Sequence, residues 1–234
     1  MYVSQSFSCQ GDSTRLRHVR LCDASRLTVK GLKTLKGHKI VELETLGLTR
    51  ATVTDLVSCL GEWSLHNLRL LNVSNSTFMD SNKFCVVVAL AKLRNLQVLN
   101  VSNTEFSKTS LDLVVEDLPL LDTLDISQTK VTDISPLRKC RDRLKSLSLY
   151  GCKLPASSSE AVVSVLSDLR ELVHLDLSDD KEDNPHAAYP ADKFKISALL
   201  QRTSTLQKLH SLDISGMLIY PDFTRCHNNC DVFR

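Results

Sequence analysis

The chain has 234 residues, of which 42% are hydrophobic, 5% are aromatic and seven are glycine. Its 29 basic and 27 acidic residues give a formal net charge of +2, and this near-balance predicts neither a nucleic-acid-binding nor a membrane-binding surface. A chain of this length can bury roughly 70 to 75% of its unfolded surface, and the composition indicates a core built mainly from aliphatic side chains.

The amino-terminal segment, residues 1–19, lacks a basic stretch followed by an apolar run, so we expect no secretory signal. We expect no membrane-spanning helix either, because the apolar run from Val86 to Leu93 is far too short and contains Lys92. The chain is therefore predicted to be intracellular, in the cytoplasm or the nucleus, with its eight cysteines as reduced thiols. Glycosylation-type matches at Asn72, Asn75 and Asn100 are then expected to stay unmodified.

One apolar spacing recurs along the whole chain and is clearest from Leu121 to Val131. Leu121, Leu124 and Ile126 follow the pattern L-x-x-L-x-L, and the alternation of the last two places them on one face of a short strand. A single repeat cannot bury that face, whereas stacked repeats close a continuous core. The sequence predicts an α/β leucine-rich-repeat solenoid, with a curved parallel sheet on the concave side and helices on the convex side.

Eight strand registers follow this pattern in chain order. They begin at Leu16, Ile40, Leu68, Leu96, Leu121, Leu144, Leu172 and Leu209. The second is degenerate, because Thr45 occupies a position where an apolar residue is expected. Successive starts are 24, 28, 28, 25, 23, 28 and 37 residues apart, and most of these intervals suit repeats whose return segment is a helix.

Helix signals lie between the predicted strands. Ser157 and Glu160 have the spacing of a capping box before an amphipathic run that ends at Leu169. Asp80 can cap a helix that carries the apolar run 86–93, and Pro136 stands where a first helical turn tolerates proline. These signals predict a helical convex face.

The pattern divides the chain into three parts: residues 1–15 form an amino-terminal edge segment, 16–216 the repeat domain, and 217–234 a divergent and irregular tail. Within the repeats, the charged and proline-containing segment 181–190 is predicted to be an exposed loop. Because an open solenoid end exposes its apolar layer, we expect both ends to meet more protein.

The cysteines are interpreted as structural. Cys22 and Cys152 take the position after a strand where other repeats have Ser76, Thr104 or Thr129, a position whose side chain can hydrogen-bond the turn backbone. Cys59, Cys85 and Cys140 are expected in the core.

No cofactor or metal site is predicted. The cluster Cys226-His227-x-x-Cys230 offers three ligands where structural zinc sites need four. No catalytic motif is present among the scattered histidines and serines, so we expect no enzymatic activity.

The remaining candidate is a binding surface on the concave side. The residues between the two core positions of each strand point away from the core. They are Arg20, Glu44, Asn72, Asn100, Asp125, Ser148, Asp176 and Asp213. Any solvent-facing strand needs polar residues there, but solenoids bind proteins through such surfaces. The acidic residues Asp176, Asp179 and Asp180 favour a basic partner segment.

The segments from Cys140 to Leu147 and from Leu175 to Asp180 contain residues that the repeat itself does not require. With them, the region from Gly11 to Gly216 resembles the leucine-rich repeats of the Zyg eleven homologues and Zer-one. That resemblance implies a substrate-recognition subunit of a cullin-2 type RING ubiquitin ligase, which engages proteins with an N-terminal glycine. Its implied partners are elongin B, elongin C and cullin-2.

The family's elongin-binding box precedes the repeats, and its glycine pocket lies in armadillo-like repeats after them. Only about ten residues precede Gly11 here and the chain ends at Arg234, so no residue of either site is carried over. Three alternatives stay open: a freestanding repeat protein that binds a partner, a regulatory subunit of an enzyme, and a truncated fragment.

Overall fold

The structure is a computed structural model, and it describes residues 16–22, 40–46, 67–76, 93–179, 199–200, 202, 205–216 and 231–233. Within these ranges, nine strands form one sheet in chain order. They are β1 (His18–Cys22), β2 (Glu42–Leu46), β3 (Leu70–Asn72), β4 (Val98–Asn100), β5 (Thr123–Asp125), β6 (Ser146–Ser148), β7 (His174–Asp176), β8 (Ser211–Asp213) and β9 (Asp231–Phe233). Each strand pairs in parallel with the next.

Strands β1 to β8 lie in the eight predicted registers, and the fold is the predicted leucine-rich-repeat solenoid. The expectation of an irregular tail was wrong for residues 231–233, which form β9 by pairing Val232 with Leu212. This strand could not be predicted from the repeat spacing, because the tail lacks that spacing. The loop predicted at 181–190 and the amino-terminal segment 1–15 lie outside the described residues.

Among the return segments that the structure describes over their full length are two α-helices, α1 (Lys108–Asp117) and α2 (Ser159–Asp168). The same described segments contain two 3₁₀ helices, Ser135–Cys140 and Ala156–Ser158. Pro136 lies in the first turn of its helix, as predicted. The predicted capping box at the start of α2 was wrong, because the cap residue is Ser158 and no side-chain hydrogen bond caps the helix. The helix predicted after Asp80 lies outside the described residues.

The core runs through the whole described sheet as one apolar cluster, from Ile40 to Ile214. In the central repeat, Leu121, Leu124 and Ile126 are at most 1% exposed. Cys140 is also fully buried, as predicted. Because each strand contributes only a few such residues, the core exists only where neighbouring repeats stack.

A side-chain hydroxyl closes the turn after each of three successive strands, as the sequence predicted. Ser76 Oγ donates to Ser74 O at 3.2 Å, Thr104 Oγ1 donates to Val101 O at 2.6 Å, and Thr129 Oγ1 donates to Ile126 O at 2.6 Å. At the equivalent position of the next repeat, Cys152 Sγ donates instead across to Ile126 O of the preceding repeat at 3.2 Å. The side chain of Cys22, predicted to do the same, lies outside the described residues.

The residue before each of these four side chains has a left-handed backbone, which was not predicted from the sequence. The φ angles are 55° at Asn75, 50° at Asn103, 52° at Gln128 and 62° at Gly151. Gly216 occupies the equivalent place in the repeat of β8, with a φ of 76°. A Cβ atom there would lie 2.0 Å from Asp179 O, so only glycine fits.

Exposed ion pairs join neighbouring repeats on the convex side. Lys139 Nζ lies 2.9 Å from Glu116 Oε2, and Arg138 pairs with Asp168 of α2. Such exposed pairs contribute little each, so the stacked core remains the main source of stability. In the part of the chain that the structure describes, no helix has the length and apolar character needed to cross a bilayer.

Candidate concave binding face

The eight predicted binding residues form one continuous row across the sheet, here called the polar row. Register pairing places Arg20 beside Glu44, and Glu44 beside Asn72. The row continues through Asn100, Asp125, Ser148, Asp176 and Asp213. Its geometry follows from the shared spacing, because residues at equivalent repeat positions are brought into register by the parallel ladder. Whether the row binds a partner stays a prediction.

Most members of the polar row also hold the turn that follows their strand. The side-chain oxygen of Asn72 accepts the backbone N–H of Ser74 at 2.9 Å. Asn100, Asp125, Asp176 and Asp213 make the same bond to the residue two positions on, at distances between 2.8 and 3.0 Å. This is the Asx-turn bond that asparagine and aspartate favour. In these turns the residue that donates its N–H to Asn72 or Asn100 is a serine two positions later. The turn bond therefore also accounts for the glycosylation-type pattern at the two asparagines.

Ser148 differs from the asparagines and aspartates of the row, because its side chain bonds across the sheet. Its Oγ donates to Asp176 Oδ2 at 2.8 Å and lies 2.7 Å from Ser127 Oγ. Asp176 therefore uses both carboxylate oxygens, since its Oδ1 also lies 2.5 Å from Ser178 Oγ. These hydrogen bonds fix the side chains of Ser148 and Asp176 in place while both residues remain partly exposed.

A second row faces the same side, and the sequence analysis missed it. It lies two residues before the polar row on each strand. Its members from β3 to β8 are Leu70, Val98, Thr123, Ser146, His174 and Ser211. They are partly or fully exposed. The signal for this row was available, because residues at i and i+2 of a strand share a face.

The concave face is acidic over its later strands. From β3 to β8, neither row contains a lysine or an arginine, and the charged carboxylates are those of Asp125, Asp176 and Asp213. Asp179 follows β7 and is half-buried, whereas Asp180 lies outside the described residues. At the first edge, His18 Nδ1 lies 2.7 Å from Glu42 Oε2. The side chain of Glu44 lies outside the described residues.

The described thiols are placed for packing rather than for chemistry. Burial raises the pKa of the Cys140 thiol, an effect that the nearby Arg143 guanidinium partly opposes. Burial likewise raises the pKa of the Cys152 thiol. Since a thiolate is the reactive form, neither side chain is activated. Among the described residues, no three His, Cys, Asp or Glu side chains group as metal ligands, and the cluster at 226–230 lies outside them.

The parallel ladder in chain order, the continuous leucine core and the closed turns together define a leucine-rich-repeat protein. Internalin C2 of Listeria monocytogenes has a similar structure, with a TM-score of 0.53 at 17% identity. The alignment covers 94% of this chain and 76% of the internalin. At that identity the similarity supports the fold alone. A leucine-rich-repeat protein of Leptospira interrogans aligns with a TM-score of 0.46 at 18% identity, over 82% of this chain and 47% of its own.

Residues 130–230 match the family of Zer-1-like leucine-rich repeats. This segment of the chain is therefore similar to the repeats of that family, in agreement with the resemblance over those residues. The matched segment includes both distinguishing stretches, Cys140 to Leu147 and Leu175 to Asp180.

Proposed function

We propose that this chain is a non-enzymatic scaffold that binds a protein partner through the concave face, with the polar row at its centre. The observation that carries the proposal is the acidic face from β3 to β8, whose carboxylates have no lysine or arginine beside them in either row. A basic segment of a partner would supply the missing opposite charge, and charge complementarity favours selective association.

The finer proposal places this scaffold in a ubiquitin-ligase substrate receptor of the cullin-2 type, in the cytoplasm or nucleus. Its support is the Zer-1-like family match at residues 130–230. In this setting the repeats hold a substrate or a regulatory protein, while elongins and cullin-2 are the proposed ligase partners.

The test of the binding face is affinity purification of the 234-residue chain from cells, with co-purified proteins identified by mass spectrometry. The variant replaces Asp125, Asp176 and Asp213 together by asparagine. Asparagine keeps the turn bond, because Asn72 and Asn100 make it in their own repeats, while three negative charges are removed. Partners held by the acidic face should be lost from the variant.

The matched control removes three carboxylates elsewhere, with asparagine at Asp112, Asp117 and Asp142. The first two lie on α1, and the third lies in the turn before β6. The control should retain the partners. If both variants retain every partner of the parent chain, the concave face is not the binding surface.

The same purification tests the ligase setting. A full-length family member is purified in parallel. Recovery of elongins and cullin both with that protein and with this chain would support the ligase setting. Recovery of other proteins without them would favour a freestanding repeat protein, or a regulatory subunit if an enzyme is recovered. Cooperative thermal unfolding of the purified chain would count against the view that it is a poorly folded fragment.

A further inference from the structure

A second open surface lies at the edge of the sheet where the strands end, away from the polar row. It is a groove of about 900 Å³ that crosses the turns after β3, β4, β5 and β6, and it is here called the turn-edge groove. Its lining contains the left-handed residues Asn75, Asn103, Gln128 and Gly151. Because the left-handed residue has the same place in each turn, these four residues lie one after another along the groove.

The groove presents carboxamides with unused hydrogen-bonding groups. Asn103 Nδ2 donates to Asn75 Oδ1 at 2.8 Å, which leaves the amide nitrogen of Asn75 and the amide oxygen of Asn103 without a hydrogen bond to any described residue. Within the part of the chain that the structure describes, the Gln128 carboxamide has no hydrogen bond. A carboxamide offers both a donor and an acceptor, so a row of them complements the alternating N–H and C=O groups of an extended peptide backbone.

The charge of the groove differs from one end to the other. Lys130 and Lys153 occupy the same position in neighbouring repeats, and both line the groove. Neither makes an ion pair with a described residue, in contrast to Lys139 and Lys145 close by. Like charges side by side on neighbouring strands are unfavourable. Glu105 holds the equivalent position one repeat earlier, so the positive charge is confined to the β5–β6 end.

We propose that the turn-edge groove binds an extended peptide segment of a partner protein, with its backbone along the carboxamides and an acidic side chain over Lys130 and Lys153. Strands in a sheet are about 4.8 Å apart, so the four turns span roughly 14 Å. An extended chain advances about 3.3 Å per residue, and the groove therefore accommodates about four residues. The acidic side chain supplies a carboxylate to the two lysines, which line the groove at equivalent positions of neighbouring repeats.

The experiment selects ligands for the complete chain from a phage-displayed library of random peptides. The best enriched peptide is then synthesised with a fluorophore, and its affinity is measured by fluorescence polarisation. We expect enriched peptides to carry Asp or Glu. Replacing their acidic residues by Asn or Gln should weaken binding about tenfold or more, which corresponds to about 1.4 kcal/mol per factor of ten.

The test variant is the double substitution Lys130→Glu with Lys153→Glu. A second double variant, Lys130→Ala with Lys153→Ala, removes the two positive charges without adding negative ones. The control, Arg94→Glu with Arg170→Glu, makes the same charge change at exposed residues in turns that precede their strands. Thermal unfolding shows that each variant is folded. The Lys→Glu pair should lose at least about tenfold in affinity, while the control should bind as the parent chain does.

The proposal is overturned if no peptide is enriched above background, or if the enriched peptides bind the Lys→Glu pair as well as the parent chain. It is independent of the concave face. The variant with asparagine at Asp125, Asp176 and Asp213 should keep its affinity for the selected peptides, so failure at one surface is distinguishable from failure at the other.

Discussion

A single hydroxyl shows how one residue stabilises a repeat. Thr129 is 7% exposed, and its Oγ1 donates to Ile126 O at 2.6 Å, while Cys152 of the next repeat donates its thiol to the same oxygen. One carbonyl thus joins two repeats. The sequence predicted the turn-closing role from the recurring small polar residue, but the bond from the next repeat depends on stacking.

Replacing Thr129 by valine keeps the shape of the side chain and removes the donor. Among the described residues, the donor that then remains to Ile126 O is the weak Cys152 thiol, and we expect a loss of about 1 to 2 kcal/mol in the free energy of unfolding. Urea unfolding measures it as a lower midpoint at an unchanged slope. The control is Thr109→Val at an exposed position of α1, which should change stability by less than about 0.5 kcal/mol. Equal effects of the two changes would contradict this account.

Between elements, Arg143 links a helix of one repeat to the return segment of the next. Its guanidinium donates to Val115 O in the last turn of α1 at 2.5 Å, to Lys139 O at 2.9 Å, and to Cys140 Sγ at 3.2 Å. The last carbonyls of a helix lack partners within it, and α1 has no basic residue in its own last turn. This contact gives a physical role to Cys140 and Arg143, which the family resemblance singled out.

Arg143→Met removes these hydrogen bonds while keeping an apolar stem. Arg143 Nε is buried and has no hydrogen-bond partner among the described residues, a cost that the substitution relieves, so we expect a net loss of only about 1 to 2 kcal/mol. Arg143→Lys should recover little of the lost stability relative to Arg143→Met, because an ammonium group lacks the planar array of donors of a guanidinium group. Denaturant unfolding measures both changes.

The exposed Arg141 provides the comparison for this variant. Its guanidinium pairs only with the adjacent Asp142 among the described residues. Arg141→Met should therefore change the free energy of unfolding by less than about 0.5 kcal/mol. A loss at position 141 as large as that at position 143 would show that the charge, and not the link to α1, determines the effect.

Across the whole molecule, stability is shared between neighbours because each described strand pairs only with the strands next to it in sequence. Leu124→Ala, in the centre of the sheet, opens a cavity where the side chain is 1% exposed. We expect a loss of about 2 to 5 kcal/mol. Hydrogen exchange should show the largest loss of protection in β4, β5 and β6, and a smaller loss in β8.

The control for the core substitution is Leu120→Ala, because Leu120 is 48% exposed. It should leave both the unfolding midpoint and the exchange pattern nearly unchanged. A uniform loss of protection over all described strands in Leu124→Ala would instead mean that the solenoid opens as one unit.

The sequence by itself determined the leucine-rich-repeat class, the eight strand registers and the residues of the polar row. It could do so because a fixed spacing within each repeat dictates both which residues are buried and which stand in register. The closing role of Thr129 followed from the same spacing.

Only the tertiary structure decided which side chains share bonds between repeats and which remain open. Arg143 reaches α1 and Ser148 reaches Asp176 because separate repeats are brought side by side. The left-handed turns, β9 and the turn-edge groove likewise arise where repeats stack. No spacing along one repeat encodes such contacts, since their partners lie in a neighbouring turn of the solenoid.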